Sequence, residues 1–121
     1  MSLLRRLFGP RPEPPPKPEH VPDEYERFWR DHVLLWVGVW PEDWDNPSLT
    51  AIDAVERTLR AMPEFHDMTI VGTPESPRFD VWLRRDTPGD DDMIYMDRAA
   101  GALKPFDDSD EIGYSIEFGD Y

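Results

Sequence analysis

Apolar and polar residues alternate along this chain in three distinct rhythms. Val33 to Trp40 is an unbroken apolar run of eight, rich in β-branched and aromatic side chains. Such a run reads as a buried central strand, ended by Pro41, with Gly38 marking a bulge or a close backbone approach. Leu49, Ile52, Val55, Leu59 and Met62 then recur at spacings of three and four, which predicts an amphipathic helix over 47–62. Asn46 would cap it, Pro47 would occupy its first turn and Pro63 would stop it. Asp53 with Arg57, and Glu56 with Arg60, supply acid-first i,i+4 pairs on its outer face.

Strand rhythm returns further on. Residues 66–72 carry Met68, Ile70 and Val71, and Thr73 to Pro77 turns the chain. Phe79, Val81 and Leu83 alternate with Asp80, Trp82 and Arg84, the pattern of a half-buried strand. The last strand runs from Ile112 to Phe118, with Ile112, Tyr114, Ile116 and Phe118 on one face. Ahead of the central strand, Asp23 would cap a short helix that places Tyr25, Phe28, Trp29 and His32 at helical spacing.

Residues 92–103 fit two readings. As a helix, Asp90, Asp91 and Asp92 would stand at its positive N-terminus, with Met93, Met96, Ala100 and Leu103 as a stripe. As a strand, Met93–Met96 would pair back on 79–85. The Ile94-Tyr95 pair and Gly101 favour the strand. The expected fold is therefore α+β in two layers: a mostly antiparallel sheet of four to five strands, packed by one long helix (47–62) and a short N-terminal helix. The helix reading would instead give the ferredoxin-like order β-α-β-β-α-β.

Composition divides the chain into three parts. Residues 1–9 (MSLLRRLFG) set Leu3, Leu4, Leu7 and Phe8 against Arg5 and Arg6, too short to span a bilayer but suited to weak peripheral membrane contact. Residues 10–22 hold seven prolines and read as an extended polyproline spacer. Residues 23–121 form a single acidic domain. The net charge is −13 over 121 residues. Residues 1–20 hold four basic against two acidic side chains, so the remainder carries −15. A body this acidic repels nucleic acid and anionic lipid, and attracts basic proteins at long range. There is no cysteine, which excludes disulfides, thiol nucleophiles and thiolate metal sites and makes the cytoplasm the simplest home.

The chemistry-bearing residues are mostly carboxylates. Asp107, Asp108 and Asp110 approach an EF-hand loop, but counting from Asp108 puts Ile112 at position 5 and Gly119 at position 12, so the pattern fails. His20, His32 and His66 form no metal-ligand spacing. No phosphate loop, nucleophile elbow or other catalytic motif is present, so no cofactor or enzyme is expected. Glu42, Asp43 and Asp45 precede a helix, where negative charge is favourable. Trp44 among them would fold onto the core beneath the turn, or stand exposed as an aromatic ringed by acids, an interface anchor.

Function is then expected to lie in binding. The candidate surface comprises Trp44, Glu42, Asp43, Asp45, Asp90, Asp91, Asp92, Asp107, Asp108 and Asp110, presented to a basic protein partner as in an inhibitor or immunity-type protein. The alternative is a structural adaptor tethered through residues 1–9. An open sheet edge would also permit a homodimer.

Overall fold

The computed structural model describes residues 24–120, as helix α1 (Glu24–Asp31), strand β1 (His32–Pro41), helix α2 (Leu49–Arg60), strands β2 (Phe65–Thr73) and β3 (Ser76–Arg84), helix α3 (Asp92–Leu103), a 3₁₀ turn (Lys104–Phe106) and strand β4 (Ile112–Phe118). The expectations for residues 1–9, for the spacer 10–22, for Asp23 as a cap and for the Tyr25 side chain lie outside the described residues.

The four strands form one antiparallel sheet in the order β2-β3-β1-β4. From β1 onward the elements follow β-α-β-β-α-β, and the expected strand over 92–103 is corrected to α3. The acids before it decide the matter. Asp91 adopts the extended N-cap conformation and its carboxylate accepts from Met93 N–H. Tyr95, Ala99 and Leu103 then fall on one face and are fully buried. A spacing of four places an aromatic, a methyl and an isobutyl group on the sheet, and this outweighs the strand preference of Ile94-Tyr95 and the presence of Gly101.

The second correction is small. Ser48, rather than Asn46, caps α2: its Oγ accepts from Ala51 N–H at 3.2 Å. The helix closes at Arg60, two residues before Met62, which still reaches the core.

Register explains the layering. Val33, Leu35, Val37 and Val39 of β1 face the same side as Phe79, Val81 and Leu83 of β3, and they meet Ile52, Val55 and Leu59 of α2 and Tyr95, Ala99 and Leu103 of α3. Both helices therefore cover one face of the sheet, and this layer is the main core. Cutting Leu35, Ile52, Leu59, Leu83 or Leu103 down to alanine would cost about 2–5 kcal/mol each.

The opposite face is covered at one end by α1. Phe28 and Trp29 meet the Trp82 ring edge-on at 4.7 and 5.2 Å. Farther along the same face Arg78 lies over the Trp36 ring at 4.3 Å and pairs with the buried carboxylate of Asp80 at 2.7 Å. Asp80 alternates outward as the strand rhythm requires, yet it is buried.

Candidate functional site

The end of the sheet where β1 finishes brings together two acidic loops, residues 42–48 and 107–111, that are far apart in sequence. After Pro41 the chain leaves the sheet through Glu42 to Ser48. Asp43 shapes this turn: its carboxylate accepts from Asp45 N–H and its carbonyl from Asn46 N–H, both at 3.0 Å. The second loop, residues 107–111, leads into β4. Ser109 Oγ holds it by accepting from the N–H groups of Glu111 and Ile112.

Two hydrogen bonds join the loops. Glu42 N–H donates to the Glu111 carbonyl at 3.0 Å, and Ser48 Oγ donates to Glu111 Oε1 at 2.7 Å. The serine that caps α2 is therefore also the clamp on the second loop. Antiparallel pairing dictates this meeting, because Pro41 stands opposite Ile112 and the residues beyond each must run side by side.

The result is a concentrated negative surface. Glu42, Asp43, Asp45, Asp107, Asp108, Asp110 and Glu111 are all exposed. Asp43, Asn46, Pro47, Ser48, Asp110 and Glu111 line a shallow depression of about 460 Å³. A neighbouring hollow of about 530 Å³ is bounded by Trp40, Glu42, Asp107 and Tyr114. Asp107 accepts a short hydrogen bond from the Tyr114 hydroxyl. Burial, then this bond and the nearby carboxylate charge, pushes the Tyr114 hydroxyl up to about 12.

Trp44 is 64% exposed, so the expectation that it folds beneath the turn is corrected. The tight Asp43 turn points it into solvent between two carboxylates. Trp40, 37% exposed, lies on the same end with its indole against Gly113.

Asp90, Asp91 and Asp92 are placed elsewhere. Gly89 N–H donates to the Arg30 carbonyl, and Arg85 N–H to that of Asp31, just ahead of β1. They therefore lie at the opposite end of a ten-residue strand, about 30 Å away. Each is engaged internally: Asp90 accepts from Tyr95, Asp91 caps α3, and Asp92 pairs with Arg85 at 2.6 Å. Arg85 also donates to the Trp29 and Asp90 carbonyls, so this cluster fastens α1, β3 and α3 together.

Glu111, Ser48, Tyr114 and Trp40 belong to the acidic end and were not singled out by sequence. Glu111 had a signal, as the last acid of the run 107–111. The roles of the other three depend on strand register. Sequence also missed the meeting of His32 and His66, whose ring centroids are 4.4 Å apart beside Phe28.

Among the described residues, no group of three or more His, Asp or Glu side chains converges as metal ligands, and no helix is long and apolar enough to cross a membrane. No family model, curated protein or solved structure matches the chain.

Proposed function

We propose that this chain is a non-catalytic, acidic binding module that docks a basic protein through the end of the sheet formed by residues 42–48 and 107–111. One observation carries the reading: seven exposed carboxylates from two distant loops are held together by the Glu42–Glu111 and Ser48–Glu111 hydrogen bonds, beside the exposed Trp44. A fixed negative surface steers a cationic partner and sets its register, while an exposed aromatic supplies an anchor that excludes water. An inhibitor or immunity-type protein for a basic nuclease or toxin would work in this way, with carboxylates where phosphates would otherwise lie. A cysteine-free chain suits a reducing cytoplasm, where we place the encounter.

The test is capture of basic proteins from native lysate by wild-type chain and by an E42K/D45K/D110K variant, at low and at high salt. Partners retained by the wild type at low salt, released at high salt and ignored by the variant support the reading. Capture that is equal for the two chains, or unchanged by salt, overturns it.

A further inference from the structure

We propose that the outer edge of β2 is a self-association surface, at which two copies of this chain pair their β2 strands antiparallel about a two-fold axis to make a continuous eight-stranded sheet. This inference does not depend on the acidic end, although its seam includes Leu49, next to Ser48.

Backbone parity comes first. Arg84 N–H donates to the Glu64 carbonyl and Arg85 N–H to that of Asp31, both at 2.8 Å. Even-numbered residues of β3 therefore turn their amides toward β2, and odd-numbered ones toward β1. Thr69 and Val71 stand opposite Asp80 and Arg78, so their backbone groups serve the β3 ladder. Met68 and Ile70 then aim N–H and C=O away from the sheet; Gly72 follows them in register but at φ 92°, outside the extended range. The Met68 N–H is held by Asp67 Oδ1 at 2.8 Å. Ile70 and Gly72 have no such guard within the strand.

Side chains come next. Ile70 is 48% exposed on the helix side of β2 and Val71 is 36% exposed on the other. Branched apolar groups thus flank the open edge on both faces. On the helix side Ile70 continues into an apolar groove of about 380 Å³ with Leu49, Pro74 and Pro77. Leu49 is itself 56% exposed. The acids on the groove's rim, Asp53 and Glu56, are paired with Arg57 and Arg60. Edge strands that are meant to stay alone carry lysine, proline or a bulge at their centre. Strand β2 has one such device, the bulge between Phe65 and Asp67 at its start, and residues 68–73 carry no lysine, proline or further bulge.

Charge selects the occupant. A chain of net charge −13 repels its own copies over most of its surface. The β4 edge bears Glu117 and runs between the acidic loop 107–111 and Asp120. Strand β2 holds one acid, Asp67, whose carboxylate is turned onto Met68 N–H. Of the two sheet edges, β2 is the one a second acidic copy can approach. With Ile70 facing its own mate, Met68 stands across from Gly72, Thr69 across from Val71 and Asp67 across from Thr73. The two Ile70 residues exchange both of their outward bonds, Met68 N–H stays with its own Asp67, and no like charges are opposed. The apolar faces of the two Ile70 and Leu49 pairs then close one seam, an isologous contact of the kind two-fold dimers use.

The experiment is light scattering on the full-length chain through the micromolar range, at low and at high salt, for the wild type and for I70K, V71K and S115K, with thermal melts to establish folding. The wild type should reach twice the chain mass of 14.2 kDa, and do so at lower protein concentration when salt screens the like charges. I70K and V71K should be folded monomers, and S115K, on the β4 strand, should remain dimeric. Because Ile70 and Val71 lie on opposite faces, one of the pair reads the edge even if the other fails to fold. A wild type monomeric throughout, or a dimer that survives I70K and V71K but dissociates in S115K, overturns the proposal. Salt separates the two proposals, since self-association tightens with it whereas docking of a basic partner loosens.

Discussion

The hydroxyl of Tyr95 donates to Asp90 Oδ2 at 2.7 Å and so ties the acidic run before α3 to the buried centre of that same helix. The same oxygen accepts from Asp86 N–H at 2.5 Å. One fully buried phenol thus fixes both sides of the 86–90 turn. Burial drives the Tyr95 hydroxyl above the ordinary tyrosine range; the Asp86 amide opposes this and the Asp90 carboxylate adds to it. Y95F keeps the ring and leaves both partners unserved. It should lower stability by about 1–2 kcal/mol, read as a shift of about 4–16 °C in the thermal midpoint. An unchanged midpoint would mean that water replaces the hydroxyl.

Asp90 and His32 titrate in separate windows and should be separable in one pH series. At Asp90 burial pushes the carboxyl up, but hydrogen bonds from Tyr95, Thr87 N–H and Arg85 outweigh it and hold the group below its usual 3.8. Its stabilisation is complete above 3.8 and disappears as pH falls through the lower folded value. At His32 burial lowers the pKa from 6.5, the Phe28 carbonyl opposes this, and His66 lowers it further. Being a base with a depressed pKa, His32 leaves stability whole above 6.5, and stability declines as pH falls below it, because the unfolded chain takes the proton first. Chemical denaturation between about pH 7 and about pH 5 should show this decline, and H32F, which keeps the stack on Phe28, should flatten it. An identical slope in H32F would remove His32 as the source.

Much of the layer structure was legible because it follows from period alone. The 49–62 stripe and the 79–84 alternation each specify an element and its buried face without reference to the rest of the chain, and the unbroken apolar run 33–40 specifies a strand but not its sidedness. What failed was local preference set against distant packing. Ile94-Tyr95 and Gly101 argue for a strand over a few residues, but Tyr95, Ala99 and Leu103 argue for a helix once the sheet beneath them exists. The acids divided for the same reason. Sequence ranks Asp90 to Asp92 with Asp107 to Asp110 as acidic runs. Only the register of β1 with β4 brings residues 107–111 beside 42–48, and only Arg85 and Tyr95 engage Asp90 and Asp92 within the fold. The two histidines looked unrelated because thirty-three residues separate them, though β3 lies between their strands and Phe28, packed on its Trp82, meets both rings.

The acidic end should tolerate charge reversal in the free protein. Glu42, Asp45 and Asp110 are exposed, and exposed substitutions away from caps and turn-forming side chains change stability by less than about 0.5 kcal/mol. An E42K/D45K/D110K chain should melt with the wild type. A purified basic partner should lose about tenfold or more in low-salt affinity, about 1.4 kcal/mol, with a shallower salt dependence. Isothermal titration at two ionic strengths checks both. A stable variant that binds as the wild type does would move the docking surface elsewhere.

Gly113 is held free of a side chain by Trp40. A methyl group there would stand 2.4 Å from Trp40 Nε1, across the β1–β4 ladder. G113A must lift the indole, which at 37% exposed has room to move outward. The expected loss is about 1–3 kcal/mol, with tryptophan emission shifted to longer wavelength as the ring enters water. A stability loss without the emission shift would place the strain in the backbone of β4.

Gly101 presents the reverse case. It lies in the last turns of α3, is exposed, and a Cβ built on it meets nothing within 4 Å. Its backbone is helical, so no left-handed conformation calls for glycine. Alanine removes freedom from the unfolded chain and costs no contact in the folded one. G101A should therefore stabilise the protein by about 0.5–1 kcal/mol, seen as a higher denaturation midpoint with an unchanged slope. The same substitution would be neutral or unfavourable if residues 92–103 formed a strand, where alanine is a poor occupant. A lowered midpoint in G101A would therefore count directly against α3.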